Sequence, residues 1–435
     1  MTQRRAPNHR LRVLLDEADW TQGALARAVN TLGGEIGADL RYDRTAVAHW
    51  LAGTRPRHPV PQLAAEALTR RLGRTITTEA AGFPAGPDEP ASVDPVGRFV
   101  ALCRSDADAT RRAPLQQRPY QVAEAVVPRA PRLPQPEEPL GSRTSATTAL
   151  HDAVAFFAAS IDTHGGRHAR SALAAYLADD VAPLLSAHQP ARLRRELLVA
   201  ASRLAFLLAR MYEDGQRHGV AQRYYTHAHW LAGESGDRTS WSVVLRAMSA
   251  QAQRLGHLPS ALQLADAAAC GVRGAPAAHQ SYVQAQLAVV LAVSGDRRGA
   301  LTALNRAERA AERADGGSAP FDRYPRAALL FQTSTALDAL GDLAGALGTL
   351  RRAAAERASS DVRGHALTQA RCGQLLLRTG RLDEACAAWE SFLVARERLR
   401  SGDAERALRD MRQALRPHRN RKRVAELLAR SALGR

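Results

Sequence analysis

Lysine and cysteine are scarce in this 435-residue chain. Lys422 is the only lysine, so arginine supplies almost all of the 60 basic residues. Heavy use of arginine and alanine is typical of a GC-rich coding genome and carries no functional information. Four cysteines are too few for a disulfide scaffold at this length, and no two stand as C-x-x-C, so a structural zinc site is not expected.

Long apolar runs are also lacking. The longest stretch without charge, Gly274–Gly295, contains histidine and glutamines, whereas a spanning helix needs about 20 apolar residues. The N-terminus has no apolar core of the kind found in signal peptides. We therefore expect a cytoplasmic, reduced protein that does not contact a membrane.

Catalytic motifs are missing as well. The sequence contains no phosphate-binding loop, no H-E-x-x-H, no G-x-S-x-G and no dinucleotide fingerprint, and no segment has a convincing strand pattern. The chain is therefore predicted not to be an enzyme, with no catalytic residues, no metal ligands and no cofactor.

Positive charge is in excess, with a formal net charge of +17. A basic protein tends to meet polyanions such as nucleic acid. The charge is densest in residues 396–435, which include the run RPHRNRKR at Arg416–Arg423, and it is only moderate in residues 1–83.

Composition divides the chain into three zones. Residues 1–83 are mixed and charged, residues 84–143 hold half of the 22 prolines, and residues 144–435 have a helical pattern rich in alanine, leucine and arginine. In the middle zone we predict one helix, roughly Pro95 to Arg112. The segment VVPRAPRLPQPEEPLG that follows should be an extended tether, because proline disfavours helix.

The third zone contains an internal repeat. A turn with glycine is followed by a small residue, three others and a bulky residue, and the small residue recurs at intervals of 40, 39, 46 and 39. Its positions are Ala221, Ala261, Ala300, Ala346 and Ala385. These helix-turn-helix units resemble tetratricopeptide repeats, although the usual period is about 34. A further unit is predicted at Thr163–Leu185 and a capping pair at the C-terminus.

Stacked units of this kind form a curved solenoid whose concave face usually carries the function. By register, the first helix of each pair contributes residues to this face. They are Arg203, Phe206, Arg210, Arg246, Gln253, Arg254, Tyr282, Phe331 and Gln374. The arginines among them favour an acidic or carboxylate-bearing peptide or small-molecule ligand.

The first zone reads as four helices. The first is His9 to Ala18, the second follows the N-cap Thr21, the third follows the N-cap Asp43 and ends at Gly53, and the fourth is PQLAAEALTRRLG. The segments W-T-x-x-x-L-A-x-x-V, from Trp20, and T-x-V-x-x-W-L-x-G-x-x-P, from Thr45, resemble the helix-turn-helix of phage-repressor-like regulators.

This resemblance implies that the second helix supports the third in the major groove of DNA. Ala26 would be the close contact between them, and Val47 and Trp50 would be core. The resemblance further implies base, phosphate or backbone contacts for Thr21, Gln22, Arg41, Tyr42, Arg44, Thr45, Ala48, His49, Arg55 and Arg57. The sequence departs from the pattern in its turn, since Asn30–Tyr42 is about ten residues longer than usual.

The order of zones adds to this resemblance. The block RYDRTAVAHWLAGTRPRHPVPQLAAEALTRRLGR, Arg41 to Arg74, and the repeats behind it are similar to streptomycete regulators with a helix-turn-helix before tetratricopeptide-like repeats. Some of these are negative regulators of differentiation and antibiotic production. The fold class expected is all-α, with an N-terminal helix-turn-helix domain, a proline-rich tether and a C-terminal α-solenoid.

Three functions follow from this layout. The first is a DNA-binding regulator, expected to be a nucleoid-associated repressor that binds double-stranded DNA as a homodimer. The second is a receptor of the same architecture that responds to a peptide or small molecule. The third is a scaffold that binds another protein, in which the long turn has disabled DNA recognition.

Overall fold

The computed structural model of the protein describes residues 6–84, 94–125, 145–314, 321 and 323–433. These residues are all-helical, and no strand occurs among them. None of the helices in these ranges is long and apolar enough to cross a membrane. The predicted all-α class is confirmed, as an N-terminal domain followed by a helical solenoid.

Four helices form the N-terminal domain. They are α1 (His9–Glu17), α2 (Gln22–Glu35), α3 (Arg44–Leu51) and α4 (Val60–Leu72). The side chains of Asn8, Thr21 and Asp43 cap the first three by accepting hydrogen bonds from backbone N–H groups three residues on. Apolar residues of all four helices share one core, which includes Ala26, with 1 % of its surface exposed.

The second helix is longer than the sequence indicates. We predicted that it ends near Asn30, but α2 continues to Glu35. Leu32 and Ile36 extend its buried face, so hydrophobic burial offsets the low helix propensity of the two intervening glycines. The connection to α3 therefore shrinks to residues 36–43, which shortens the predicted Asn30–Tyr42 loop.

The middle zone is folded onto the repeats over much of its length. Two helices, α5 (Pro95–Ala107) and α6 (Ala109–Gln116), replace the single predicted helix, with the break at the N-cap Asp108. Their apolar side chains belong to the same core as those of the first repeats. The segment at residues 126–141, predicted to be an extended tether, lies outside the described residues.

A buried carboxylate holds α5 against the first repeats. Asp106 is fully buried and accepts hydrogen bonds from the hydroxyls of Tyr212 and Tyr224, the latter at 2.8 Å. The Arg112 guanidinium lies 3.4 Å from the same carboxylate. Burial nevertheless raises the pKa of Asp106, because desolvation opposes its charge.

The third zone begins with α7 (Ser145–His164), followed by α8 (Arg170–Tyr176), a π-helical turn (Leu177–Val181) and α9 (Ala182–Ser186). Thr163–Leu185 is therefore not a regular helix pair as predicted, because its helix is interrupted by the π turn. The remaining helices are α10 (Ala191–Asp214), α11 (His218–Ser235), α12 (Arg238–Arg254), α13 (Leu258–Gly271), α14 (Ala277–Val293), α15 (Arg297–Glu312), α16 (Arg326–Ala339), α17 (Leu343–Glu356), α18 (Val362–Arg378), α19 (Leu382–Arg396), α20 (Gly402–Leu415) and α21 (Lys422–Leu433).

Helices α10 to α19 pack as consecutive pairs, and α20 with α21 forms the predicted C-terminal pair. The repeat alanines lie on the second helix of each pair, where all five are fully buried: Ala221, Ala261, Ala300, Ala346 and Ala385. Their small size lets the paired helices approach closely. The backbone carbonyls of two of these alanines also accept a hydrogen bond of 2.8 Å from a serine of the partner helix. Ala261 accepts from Ser249, and Ala346 accepts from Ser334.

The two ends of the repeat array meet. The backbone N–H of Arg400 donates to the His164 carbonyl at 2.7 Å, and that of Arg167 donates to the Arg400 carbonyl at 2.9 Å. Arg167 also pairs with Glu405 at 2.7 Å. The array is thus closed on itself, a feature that the predicted curved solenoid did not include.

Removing the buried anchor should loosen the middle zone. We expect Asp106→Ala to lower the free energy of unfolding by about 3 kcal/mol, because two tyrosine hydroxyls and an arginine lose a buried partner. Denaturant unfolding followed by circular dichroism measures this change. The exposed Asp152→Ala on α7 is the control, and equal stability of the two variants would contradict the anchoring role.

Candidate DNA-binding surface and interior cavity

The third helix presents one face to the core and the other to solvent. Val47, Trp50 and Leu51 are buried and fix the helix on the domain. The opposite face is exposed, and it carries the predicted base-contacting residues Arg44, Thr45, Ala48 and His49. All four of these side chains are accessible to solvent on α3.

The turn before α3 is held by one amide side chain. Asn30, on α2, accepts a hydrogen bond from the backbone N–H of Tyr42 at 2.9 Å and donates one to its carbonyl at 2.8 Å. The Tyr42 ring packs edge-on against Trp50, with 5.2 Å between centroids. This two-bond clamp fixes where α3 begins relative to α2, despite the long connection.

The other predicted DNA contacts surround these helices. Thr21 and Gln22 are exposed at the start of α2, where the Thr21 hydroxyl is already engaged as the N-cap. Arg55 and Arg57 are exposed after α3. Arg41 is exposed and pairs with Asp39 at 2.8 Å, while Tyr42 is half-buried.

A cavity of about 710 Å³ lies inside the closed array. Its wall comes mainly from the first helices of the repeats, from α7 and α20, and from residues 321 and 323–325. Of the nine residues predicted for the concave face, seven line it: Phe206, Arg210, Arg246, Arg254, Tyr282, Phe331 and Gln374. Arg203 and Gln253 do not, although the Arg203 guanidinium lies 5.3 Å from the centre of the Phe321 ring on the wall.

Arg246 is a buried cation of this wall. It is only 9 % exposed, its guanidinium lies 4.1 Å from the centre of the Tyr282 ring, and its Nε has no hydrogen-bond partner within the described chain. The Tyr324 hydroxyl beside it is equally without a partner there, and burial raises the pKa of that phenol. Hydrogen-bond donors of this kind, next to aromatic rings, are suited to a ligand with both an anionic and an apolar part.

A second part of the wall is a cluster of ion pairs. Arg363 lies 2.7 Å from both Asp214 and Asp403, and Arg254 lies 3.3 Å from Asp403 and 3.4 Å from Glu213. Although burial opposes it, the surrounding arginines hold the pKa of Asp403 below its ordinary value. Because the cluster joins α10 to α18 and α20, no local sequence pattern could have revealed it.

Comparison with known proteins reaches only the first of these two sites. Residues 11–84 match a family described as the SP15 N-terminal domain, which here comprises most of α1, all of α2 to α4 and the core between them. A search of curated proteins finds no match to the chain.

Loss of the Asn30 clamp should free the turn before α3. We expect Asn30→Ala to destabilise this connection by about 1–2 kcal/mol, since the Tyr42 N–H and carbonyl lose their partner. Hydrogen exchange of the Tyr42 amide should accelerate roughly tenfold, the factor that corresponds to 1.4 kcal/mol. Gln22→Ala, exposed at the other end of α2, is the control, and unchanged Tyr42 exchange in Asn30→Ala would show that the clamp is dispensable.

Proposed function

We propose that the protein is a sequence-specific regulator of transcription that binds double-stranded DNA through α3. One observation carries the proposal. The exposed face of α3 bears Arg44, Thr45, Ala48 and His49, while the opposite face is fixed in a core and the preceding turn is clamped by Asn30. A rigid helix with a polar exposed start is what major-groove recognition requires.

In this proposal the first turn of α3 enters the major groove. Arg44 can donate two hydrogen bonds to a guanine edge, and His49 reaches a neighbouring base one turn later. Arg55 and Arg57 neutralise phosphates, and the N-terminus of α2 at Thr21 and Gln22 faces the backbone. A single unit of this size binds weakly, so a homodimer on paired half-sites is part of the proposal.

The regulatory sign and setting come from the likeness of residues 41–74 to the streptomycete regulators. On that basis we propose repression of development or of antibiotic production, in the cytoplasm at the nucleoid. The proposal assigns the chain no catalytic step and no cofactor.

The proposal is tested by selecting genomic fragments with the purified protein at physiological salt. We expect a recurrent inverted repeat, and we expect Arg44→Ala with His49→Ala to weaken its binding by at least about 30-fold, because two base contacts worth about 1–3 kcal/mol each are lost. Fluorescence anisotropy on the selected site measures the affinity.

Arg298→Ala is the matched control, since it removes one positive charge from an exposed position of the repeat array. Its affinity should stay near that of the unmodified protein. Recovery of all fragments alike, or equal binding by the α3 variant, would contradict sequence-specific recognition and favour the protein-binding scaffold.

A second function, ligand reception in the cavity, is favoured by a separate observation. Arg246 is buried against Tyr282, its Nε has no hydrogen-bond partner among the described residues, and Arg210 lines the same wall. An acidic peptide or small carboxylate would supply the missing acceptor, and its apolar part would contact Phe206 and Phe331.

This receptor function predicts a response that depends on Arg246. In calorimetric titrations with a set of short acidic peptides and aromatic carboxylates, we expect a saturable binder whose affinity falls at least about tenfold in Arg246→Ala, because a charge-assisted hydrogen bond is lost. DNA binding by that variant without ligand should be unchanged. Arg298→Ala again serves as control, and equal ligand binding by Arg246→Ala would exclude this wall as the site.

A further inference from the structure

The N-terminal domain is docked on the repeat array through a buried polar contact. Nε2 of His257 lies 2.7 Å from Oε1 of Glu66, and each side chain is only about 5 % exposed. Glu66 belongs to α4 of the N-terminal domain, and His257 follows α12 of the array. A buried carboxylate is costly without partners, so this contact strongly favours one docked position.

Further contacts surround this pair. The Tyr120 ring, from the middle zone, stacks on the His257 ring at 5.3 Å. Arg70 donates to Glu66 at 2.8 Å and makes two hydrogen bonds with Glu35, at 2.7 and 2.9 Å. Through Arg70, the Glu66–His257 pair is therefore connected to Glu35, the last residue of α2.

A second contact lies beside the first. The Arg217 guanidinium, in the turn after α10, donates to the Gly34 carbonyl at 3.1 Å. Gly37 packs so closely on that guanidinium that a Cβ there would overlap it. We use the term docking contact for the two pairs together, Glu66 with His257 and Gly34 with Arg217.

Both array residues of the docking contact belong to turns that leave cavity-lining helices. Glu213 lies in the last turn of α10, four residues before Arg217, and Arg254 ends α12, three residues before His257. Glu213 and Arg254 both face the cavity and pair with each other at 3.4 Å. This ion pair on the cavity wall joins the ends of the two helices that lead into the turns holding the N-terminal domain, and it lies beside Asp403, which contacts both Arg254 and Gln216.

We propose that the Arg254–Glu213 ion pair controls the docking of the N-terminal domain and so couples the cavity to DNA binding. Arg246, Ala250 and Arg254 occupy one face of α12 at intervals of four residues and all line the cavity. A ligand carboxylate held along this face competes with Glu213 for Arg254 and releases the two turns. The inference concerns regulation of the proposed DNA-binding and receptor functions and rests on them.

The structure offers a matched pair of variants. Arg254 and Arg371 both line the cavity, are 31 % and 32 % exposed, and pair with acids that are 6 % and 8 % exposed, Asp403 and Asp338 respectively. Only Arg254 also pairs with Glu213. Arg254→Gln imitates the loss of the pair, and Arg371→Gln is the control.

Hydrogen exchange of the full-length protein, followed by mass spectrometry, tests the coupling without DNA. We expect Arg254→Gln to accelerate exchange about tenfold in residues 30–37 and 60–72, because local opening becomes easier. Glu213→Gln should give the same change from the other partner, and the double variant should add little to either. His257→Gln, which opens the docking contact directly, sets the size of the expected change, and Arg371→Gln should leave both segments as they are.

Unchanged exchange in these segments for both Arg254→Gln and Glu213→Gln would overturn the coupling, and so would an equal effect of Arg371→Gln. Faster exchange throughout α18 and α19 as well would overturn it too, since that pattern means general unfolding. Anisotropy on the selected DNA then separates the two proposals. Faster exchange with weaker DNA binding supports both, whereas faster exchange in a protein that selects no DNA site leaves the coupling standing and refutes the regulator function.

Discussion

The closed array depends on the ion cluster around Asp403. This carboxylate is buried, yet it is paired with Arg254, Arg363 and Arg406 and accepts a hydrogen bond of 2.9 Å from Gln216. Because burying a charge is unfavourable unless its lone pairs are satisfied, the cluster favours a single arrangement of α10, α12, α18 and α20. Together with the backbone hydrogen bonds of Arg400 with His164 and Arg167, the cluster stabilises the closed shape and the wall of the cavity.

The two candidate sites differ in how their side chains are prepared for a partner. On α3 the candidate residues are exposed and only the backbone is fixed, by the core and by Asn30. These exposed side chains can therefore contact phosphates and base edges, and none of their charges is buried beforehand. In the cavity, Arg246 is already desolvated against Tyr282, so an anion there would gain a stronger interaction than at the surface.

Prediction from sequence worked where the signal was local. The caps at Thr21 and Asp43, the buried faces of α2 and α3 and the five repeat alanines were all recognisable from spacing alone. It failed where distant segments decide the outcome. The helical signal of α2 is weak at Gly33 and Gly34, and packing of Leu32 and Ile36 continues the helix. Likewise, prolines in the middle zone concealed a second helix and its contact with the first repeats.

The sequence by itself determined the paired helices of the repeats and which residues of α3 face solvent, because these depend on periodicity and caps within a few residues. The tertiary structure alone decided that the array closes, that Asp214 and Asp403 both pair with Arg363, and that Glu66 is buried against His257. Each of these contacts joins residues many positions apart. Their energy comes from charges that are desolvated together, and no short pattern along the chain records which charges will share a buried site.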